Sequence, residues 1–190
     1  MLIINIIKST PMNRSSHYNS PLMDTIQAEA AVAVIQARLT DHTVLLLRRA
    51  RSPKDPWSGH FAFPGGRQET SDRDLYMTCV RETEEETGIL LEKQWLRETL
   101  PIRAAGRNVQ APVQVQPYLF ELDFRPDVVV EEKEIDSYHW LDLHHFRNPE
   151  NHIHTEIMPG RFFPAYPLLD YYIWGFTYLL LSDLFPVTAD

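Results

Sequence analysis

Two runs early in the chain, "AEAAVAVIQARL" and "TVLLLRRA", are dense in aliphatic and β-branched residues and are joined by the polar "TDH". That pattern predicts a β-hairpin over about residues 28–49. The next stretch, "RSPKDPWSGHFAFPGG", is interrupted by three prolines and three glycines, so it reads as a loop carrying one short strand at 60–63. A helix follows, with Ser71 as its cap, a first turn near Asp72 and Gly88 as its C-terminal stop. Further on, "VQVQPYLFEL" alternates and ends in aromatics, and "DSYHWLDL" is another short alternating run. A helix over about 171–185 closes the chain. Strands, one central helix, more strands and a terminal helix predict an α/β (α+β) domain, a mixed β-sheet sandwiched between helices.

The first 25 residues do not share this periodicity. "MLIINIIKST" is too short to span a bilayer, has no basic region ahead of it and no A-x-A-like site behind it. "PMNRSSHYNSPLMDT" is polar and punctuated by Pro11 and Pro21. We therefore expect a flexible leader over 1–25 and one domain over 26–188, which suits 190 residues of which 44% are hydrophobic. The apolar "YYIWGFTYLLLSDLF" is short and carries Asp183, so it reads as a buried amphipathic helix and not as a membrane span.

A formal charge of -8 argues against a nucleic-acid surface, which needs clustered Lys and Arg. An acidic protein still binds phosphate compounds when a divalent metal bridges the two. The single cysteine, Cys79, excludes an internal disulfide and fits a reducing, cytoplasmic setting. It reads as a small buried helix residue.

The acidic stretch "RETEEETGI", residues 81–89, changes the picture most. With Leu75 at zero and about 100° per residue, Glu82 falls near 340°, Glu85 near 280° and Glu86 near 20°. These three share one face. Tyr76, Cys79, Val80 and Thr83 occupy the adjoining arc, which would dock on a sheet, and Glu84 points away to solvent. A solvated charge run would spread around the exposed side. Three carboxylates beside the buried edge instead suit a hard cation such as Mg²⁺, because like charges this close repel unless a cation joins them. Arg81 can pair with Glu85 at i,i+4 and hold it in place.

These residues resemble the box of the Nudix hydrolases, written G-x5-E-x7-R-E-U-x-E-E-x-G-U with U apolar. Residues 81–89 match its second half except that Thr83 stands at the first apolar position. In the first half Gly66 is followed after five residues by Asp72 in place of Glu, and eight residues separate Asp72 from Arg81. The branch resembling coenzyme A diphosphatases shares that longer spacing, the Asp and the "FPGG" entry. The similarity runs on through "QPYLFEL", "EIDSYHWLDL" and "IWGFTYLLL".

The resemblance implies a Nudix-type fold and an Mg²⁺-dependent diphosphatase, with Mn²⁺ as a possible substitute. It makes Glu82, Glu85, Glu86 and the backbone carbonyl of Gly66 the metal ligands, with water displacing one phosphoryl group from the other. Arg81 and Glu85 join the catalytic set, and Glu134 resembles a later loop carboxylate that acts as ligand or general base. Glu82 is the stronger candidate for the base.

The partner is then a small molecule built on a nucleoside diphosphate, for a monomer or homodimer with no nucleic acid and no membrane. Arg48, Arg49 and Arg67, with Arg51 and Lys54 nearby, are candidates for phosphate contact; each also reads as an ordinary surface charge. Coenzyme A is the first substrate to consider. "LLLRRA" and "KDPWSGHFAF" depart from the coenzyme A pattern, which prefers a Thr after the aliphatics and a "GQVAFPGG"-like run, so ADP-ribose, dinucleoside polyphosphates and nucleoside triphosphates stay open. A Nudix-fold sensor that binds a nucleotide without cutting it is the rival reading. His139, His144, His145, His152 and His154 repeat no zinc spacing. Trp57 and Trp140 could stack on a base or fill the core, and Trp140, in an alternating run, reads as core.

Overall fold

The computed structural model describes residues 27–52, 58–106 and 112–188, so the expected leader, Lys54 and Trp57 lie outside the described residues. β1 (Ala30–Arg38) and β2 (His42–Arg49) form the expected antiparallel hairpin, with Gln36 opposite Val44. β3 (Phe61–Ala62) pairs with β2, and β4 (Gly65–Arg67) pairs with the opening residues of β1. The helix α1 (Leu75–Thr87) comes next. Then β5 (Leu96–Thr99), β6 (Arg103–Ala105), β7 (Val113–Leu122) and β8 (Ile135–Asp142) complete an eight-stranded mixed sheet. Its parallel pairing is β1 with β7, in register from Ala30 opposite Val115 to Ala37 opposite Leu122. The short helix α2 (Leu143–Arg147) leads into a separate antiparallel sheet of β9 (Ile153–Met158), β10 (Arg161–Leu168) and β11 (Tyr171–Trp174), and α3 (Gly175–Leu184) follows.

Side-chain alternation divides the core into two layers. Ala31, Ala33 and Ile35 of β1, Leu45 and Leu47 of β2, and Tyr118, Phe120 and Leu122 of β7 cluster with Cys79 of α1. Val34, Val44, Leu46 and Leu119, on the other face, cluster with Phe146 of α2, Tyr166 and Ile173 of the small sheet, and Leu180 and Leu181 of α3. A sheet covered on both faces needs apolar residues at successive positions, which is why "AVAVI" and "VLLL" run nearly unbroken. The mixed sheet with helices on both faces matches the expected fold class.

Two expectations need correction. Residues 171–174 do not open the last helix; they form β11, paired Leu168 opposite Tyr171 through Ala165 opposite Trp174. Aromatic and β-branched residues fit a strand, and Gly175, at φ 60, marks the change to helix inside one apolar run that shows no boundary by hydrophobicity alone. Ser71 is not the cap of α1. Asp74 is, extended at φ -157 and accepting from the Met77 N–H at 2.9 Å. Gly88 does close the helix, in the left-handed region at φ 70, with its N–H on the Glu84 carbonyl. No helix among the described residues is long and apolar enough to cross a membrane.

The closest backbone approach is at β4. Gly65 has φ 142, and a Cβ there would stand 2.2 Å from the Ala31 carbonyl oxygen. Both atoms belong to paired strands and neither can move away cheaply. Gly65→Ala should therefore lose at least about 2 kcal/mol of folding stability, read as the shift in urea midpoint. A midpoint unchanged from the wild type would show that β4 can move off β1 without cost.

Candidate active site

The two glycines of β4 bring backbone against the carboxylates of α1. The Gly65 N–H donates to Glu86 Oε2 at 2.9 Å, and a Cβ on Gly66 would lie 2.4 Å from the Glu82 carboxyl group. Any side chain at 66 would fill the space that the Glu82 carboxylate occupies. Glu86 is buried. Its desolvation pushes the carboxyl up to about 8, opposed by the Gly65 N–H and the charge of Arg49, and reinforced by Glu82 and Glu134. Glu82 is partly buried and is likewise raised, by desolvation first, with Arg81 working against the shift. The three box carboxylates thus form a gradient across one helix edge: Glu86 inside, Glu82 at the boundary and Glu85 largely exposed. Glu84 faces solvent, while Cys79 and Thr83 are buried on the docking arc.

Arg81 organises this edge. Its Nη1 lies 3.0 Å from both Glu82 Oε1 and Glu85 Oε2. Its Nε and Nη2 grip the two oxygens of Asp72 at 3.0 and 2.9 Å, and Nη2 also reaches the Arg67 carbonyl at 3.3 Å. Asp72 accepts in addition from the Glu69 N–H at 3.0 Å and the Thr78 hydroxyl at 2.9 Å. The Arg81 hydrogen bond, then the Glu69 N–H, holds the Asp72 carboxyl far below the usual carboxylate range. In the sequence Asp72 stood as a departure from the box shared with one branch of the family, with no contact assigned to it. The fold makes it the anchor of Arg81. With Arg81 Nη1 lying between Glu82 and Glu85, no three His, Cys, Asp or Glu side chains among the described residues stand grouped in metal-holding geometry.

The residues present nevertheless fit a divalent ion. Every side-chain donor at this edge is a carboxylate oxygen, the type Mg²⁺ and Mn²⁺ take. Two of the carboxyls are held desolvated, and a glycine leaves room where a Cβ would intrude. Arg81 has Asp72 as a partner of its own, so it can release Glu82 and Glu85 to a cation without becoming an unpaired buried charge.

Residues 129–135 border the site, stitched to the end of α1 by the Val129 N–H on the Thr87 carbonyl at 2.9 Å and the Glu131 N–H on the Glu86 carbonyl at 3.2 Å. Glu134 lies on this segment, its carbonyl accepting the Ala50 N–H at 2.7 Å, and its charge is felt at both Glu82 and Glu86.

The candidate cations separate. Arg49 acts on Glu86. Arg48, its neighbour on β2, faces the other layer, bonded to Asp170 at 2.6 and 3.1 Å with its guanidinium 5.5 Å from the Phe61 ring centre. Arg67 is exposed and pairs with Glu29 at 2.7 Å. Asp170 lies 122 positions from Arg48, and no local signal points to it.

Cys79 is fully buried, and burial pushes its thiol above the ordinary range, which disfavours the thiolate needed of a nucleophile. Trp140 is partly exposed beneath the Arg125 guanidinium, 5.5 Å away. His145 bonds the Tyr166 hydroxyl at 2.5 Å. His152 meets the Tyr178 hydroxyl at 2.9 Å and the Phe146 carbonyl at 2.5 Å.

Comparison with known proteins adds a family to this geometry. A model of the NUDIX domain matches residues 27–160. Uncharacterized protein C14C4.10c of Schizosaccharomyces pombe is 34% identical over 122 residues, which cover 62% of this chain and 37% of that protein. The mitochondrial coenzyme A diphosphatase NUDT8 of Mus musculus is 27% identical over 125 residues, 63% of this chain and 58% of that one. The chain thus spans 37% and 58% of the lengths of these two relatives, less than two thirds of either. Among solved structures, a MutT/nudix family protein from Enterococcus faecalis superposes with a TM-score of 0.54 over 82% of this chain and 54% of its own, at 18% identity, which is a likeness of fold.

The raised Glu86 carboxyl has a measurable consequence. A carboxyl whose folded pKa lies above its ordinary value of 4.5 binds its proton more tightly when folded, so its stabilising effect is complete below about 4.5 and is lost as pH rises through about 8. In EDTA, melting temperature should fall between pH 5 and 8.5 more steeply for the wild type than for Glu86→Gln. Parallel profiles for the two proteins would rule out a desolvated Glu86.

Proposed function

Since the chain belongs to the Nudix hydrolase family, whose domain model spans residues 27–160, we propose that it is an Mg²⁺-dependent diphosphatase acting on a nucleoside diphosphate linked to another moiety. A coenzyme A-like compound is the substrate we put first, and residues 26–188 form the hydrolase domain. The observation that carries this reading is the edge of α1, where Glu82 and Glu86 are held desolvated against the Cβ-free backbone of Gly65 and Gly66. The likeness to the mouse coenzyme A diphosphatase supports the choice of substrate.

In this reading Glu82, Glu85, Glu86 and the Gly66 carbonyl hold the metal ion. A Mg²⁺ or Mn²⁺ ion held there would supply charge compensation for the diphosphate and acidify the attacking water. Arg81, fixed at Asp72, keeps Glu82 and Glu85 aligned. Glu82, at the boundary between the buried helix edge and solvent, is the carboxylate we assign to take the proton from water. Glu134 is the second carboxylate within electrostatic reach. Arg49, the cation whose field reaches Glu86, meets the phosphates, and Arg67 borders their path on β4. With the box carboxylates committed to metal, no motif marking a Ser or Cys nucleophile and Cys79 buried, water attacks phosphorus directly in one displacement.

A panel of coenzyme A, ADP-ribose, a dinucleoside polyphosphate and a nucleoside triphosphate tests the reading through release of phosphate or mononucleotide. Turnover should require Mg²⁺ or Mn²⁺ and stop in EDTA. Glu85→Gln and Glu86→Gln should each lower it roughly a hundredfold or more while the circular dichroism stays native. Tight nucleotide binding with no metal-dependent turnover on any compound would identify a sensor instead. Near wild-type turnover of either variant at saturating Mg²⁺ would remove that residue from the ligand set.

A further inference from the structure

The small sheet ends on an open strand. Its order is β11–β10–β9, so β9 pairs with β10 on one side and with no strand among the described residues on the other. An open edge is a template for a further strand unless lysines, prolines or bulges blunt it. β9, "IHTEIM", has no lysine and no proline, and its bulge lies at the far end, where Ile157 is passed over in the pairing with β10. Ile153 is 37% exposed, and His154 and Glu156 are exposed as well.

The prolines of β10 set which backbone groups face outwards. Proline has no N–H to give to a ladder and fits where none is needed. Pro164 lies opposite His154 and one residue beyond the last β11 pair, Ala165 with Trp174. Pro167 lies opposite Tyr172 and beyond the last β9 pair, Ala165 with Ile153. Both fit if Pro164 turns its nitrogen to the β11 side and Pro167 to the β9 side, where those ladders have ended. Backbone direction alternates along a strand, so Phe163 and Ala165 then bond Thr155 and Ile153, while His154 and Glu156 turn their N–H and C=O groups to the open side.

The side chains decide what can pair there. Set a second β9 antiparallel to the first with Thr155 opposite Thr155. His154 then faces Glu156 of the second copy, Glu156 faces its His154, and Ile153 meets Ile157 at both ends. An imidazole donates to a carboxylate in either charge state, and Glu156, with Oε1 accepting the Gly160 N–H at 2.6 Å, has its other oxygen for that bond. Neighbouring two-fold registers are worse. Centred on Glu156 they oppose two carboxylates, centred on His154 two imidazoles, and the half-steps set Glu156 against Ile153 or His154 against Ile157.

We propose that β9 is a self-pairing edge, through which two copies of this chain associate antiparallel about a two-fold axis at Thr155 to form one continuous sheet from their two small sheets. The contact is isologous and closes at two copies. Charges that disfavour an arbitrary strand select this one, which gives the edge a specific partner in place of a general stickiness. The proposal is independent of the diphosphatase reading, since the small sheet packs in the layer away from α1.

Sedimentation velocity of the full chain tests it, over roughly 1–100 µM. A short edge contact should give a reversible monomer–dimer equilibrium with Kd on the order of 10 µM. His154→Glu sets carboxylates opposite each other and should weaken the dimer about tenfold or more. Adding Glu156→Lys to it exchanges the two charges and should restore Kd to within about threefold of the wild type. His154→Pro removes an outward N–H and spares the β9–β10 ladder, so it should abolish association with the circular dichroism unchanged. A monomer at every concentration overturns the proposal, as do open-ended assemblies. A dimer indifferent to both His154→Glu and His154→Pro uses another surface and overturns it too. Loss in His154→Glu that the charge exchange does not restore refutes the Thr155-centred register and the proposal with it.

Discussion

The approach of the Gly65–Gly66 backbone to the edge of α1 is the constraint on which the rest of the site depends. Gly65 N–H is bonded to the Glu86 carboxylate, Gly66 lies under the Glu82 carboxyl, and the same two residues are paired with Val32 and Ala31 of β1. Sheet, strand and helix therefore meet within one side chain's width. Fully buried Ala31 and Ala33 beneath α1 keep the contact close. The carboxylates are desolvated by this packing, and the chemistry proposed for them follows from the packing.

Burial of like charges would be unfavourable if nothing compensated it. Glu86 receives one backbone N–H and the field of Arg49, and Glu82 and Glu85 receive Arg81. Arg81 in turn is held from below by Asp72, whose other hydrogen bonds come from the Glu69 N–H and Thr78. The chain of contacts ties the turn ahead of α1 to the middle of the helix. Arg81 is better placed there than a lysine would be, because a planar group with several donors can serve three carboxylates at once.

The strand period of two gives this end of the sheet two different surfaces. Leu45, Leu47 and Arg49 of β2 look towards α1, and Val44, Leu46 and Arg48 look towards the small sheet and α3. Adjacent arginines in "LLLRRA" consequently serve different surfaces. The β10–β11 connection reaches across to Arg48 only because β11 extends the chain where a helix would have turned it away.

The sequence by itself determined the hairpin, the strands at 113–122 and 135–142, the helix that ends at Gly88 and the arc on which Glu82 and Glu86 stand beside Cys79 and Thr83. These follow from local periodicity and from residues such as Gly88 whose backbone preference is local. It also contained the Arg81–Glu85 pair, since four residues on a helix bring side chains together. What it could not contain is any relation between distant segments. The end of the small sheet inside "YYIWGF" has no hydrophobic boundary, so only pairing with β10 revealed a strand there. Asp74 and not Ser71 caps α1 because Asp72 and its neighbours are drawn into the turn around Arg81. The different depths of Glu82, Glu85 and Glu86, the separation of Arg48 from Arg49, and the grip of Arg48 on Asp170 were decided only in three dimensions. Helix and strand periods fix which way a side chain points, whereas what it meets depends on which segment the sheet brings opposite.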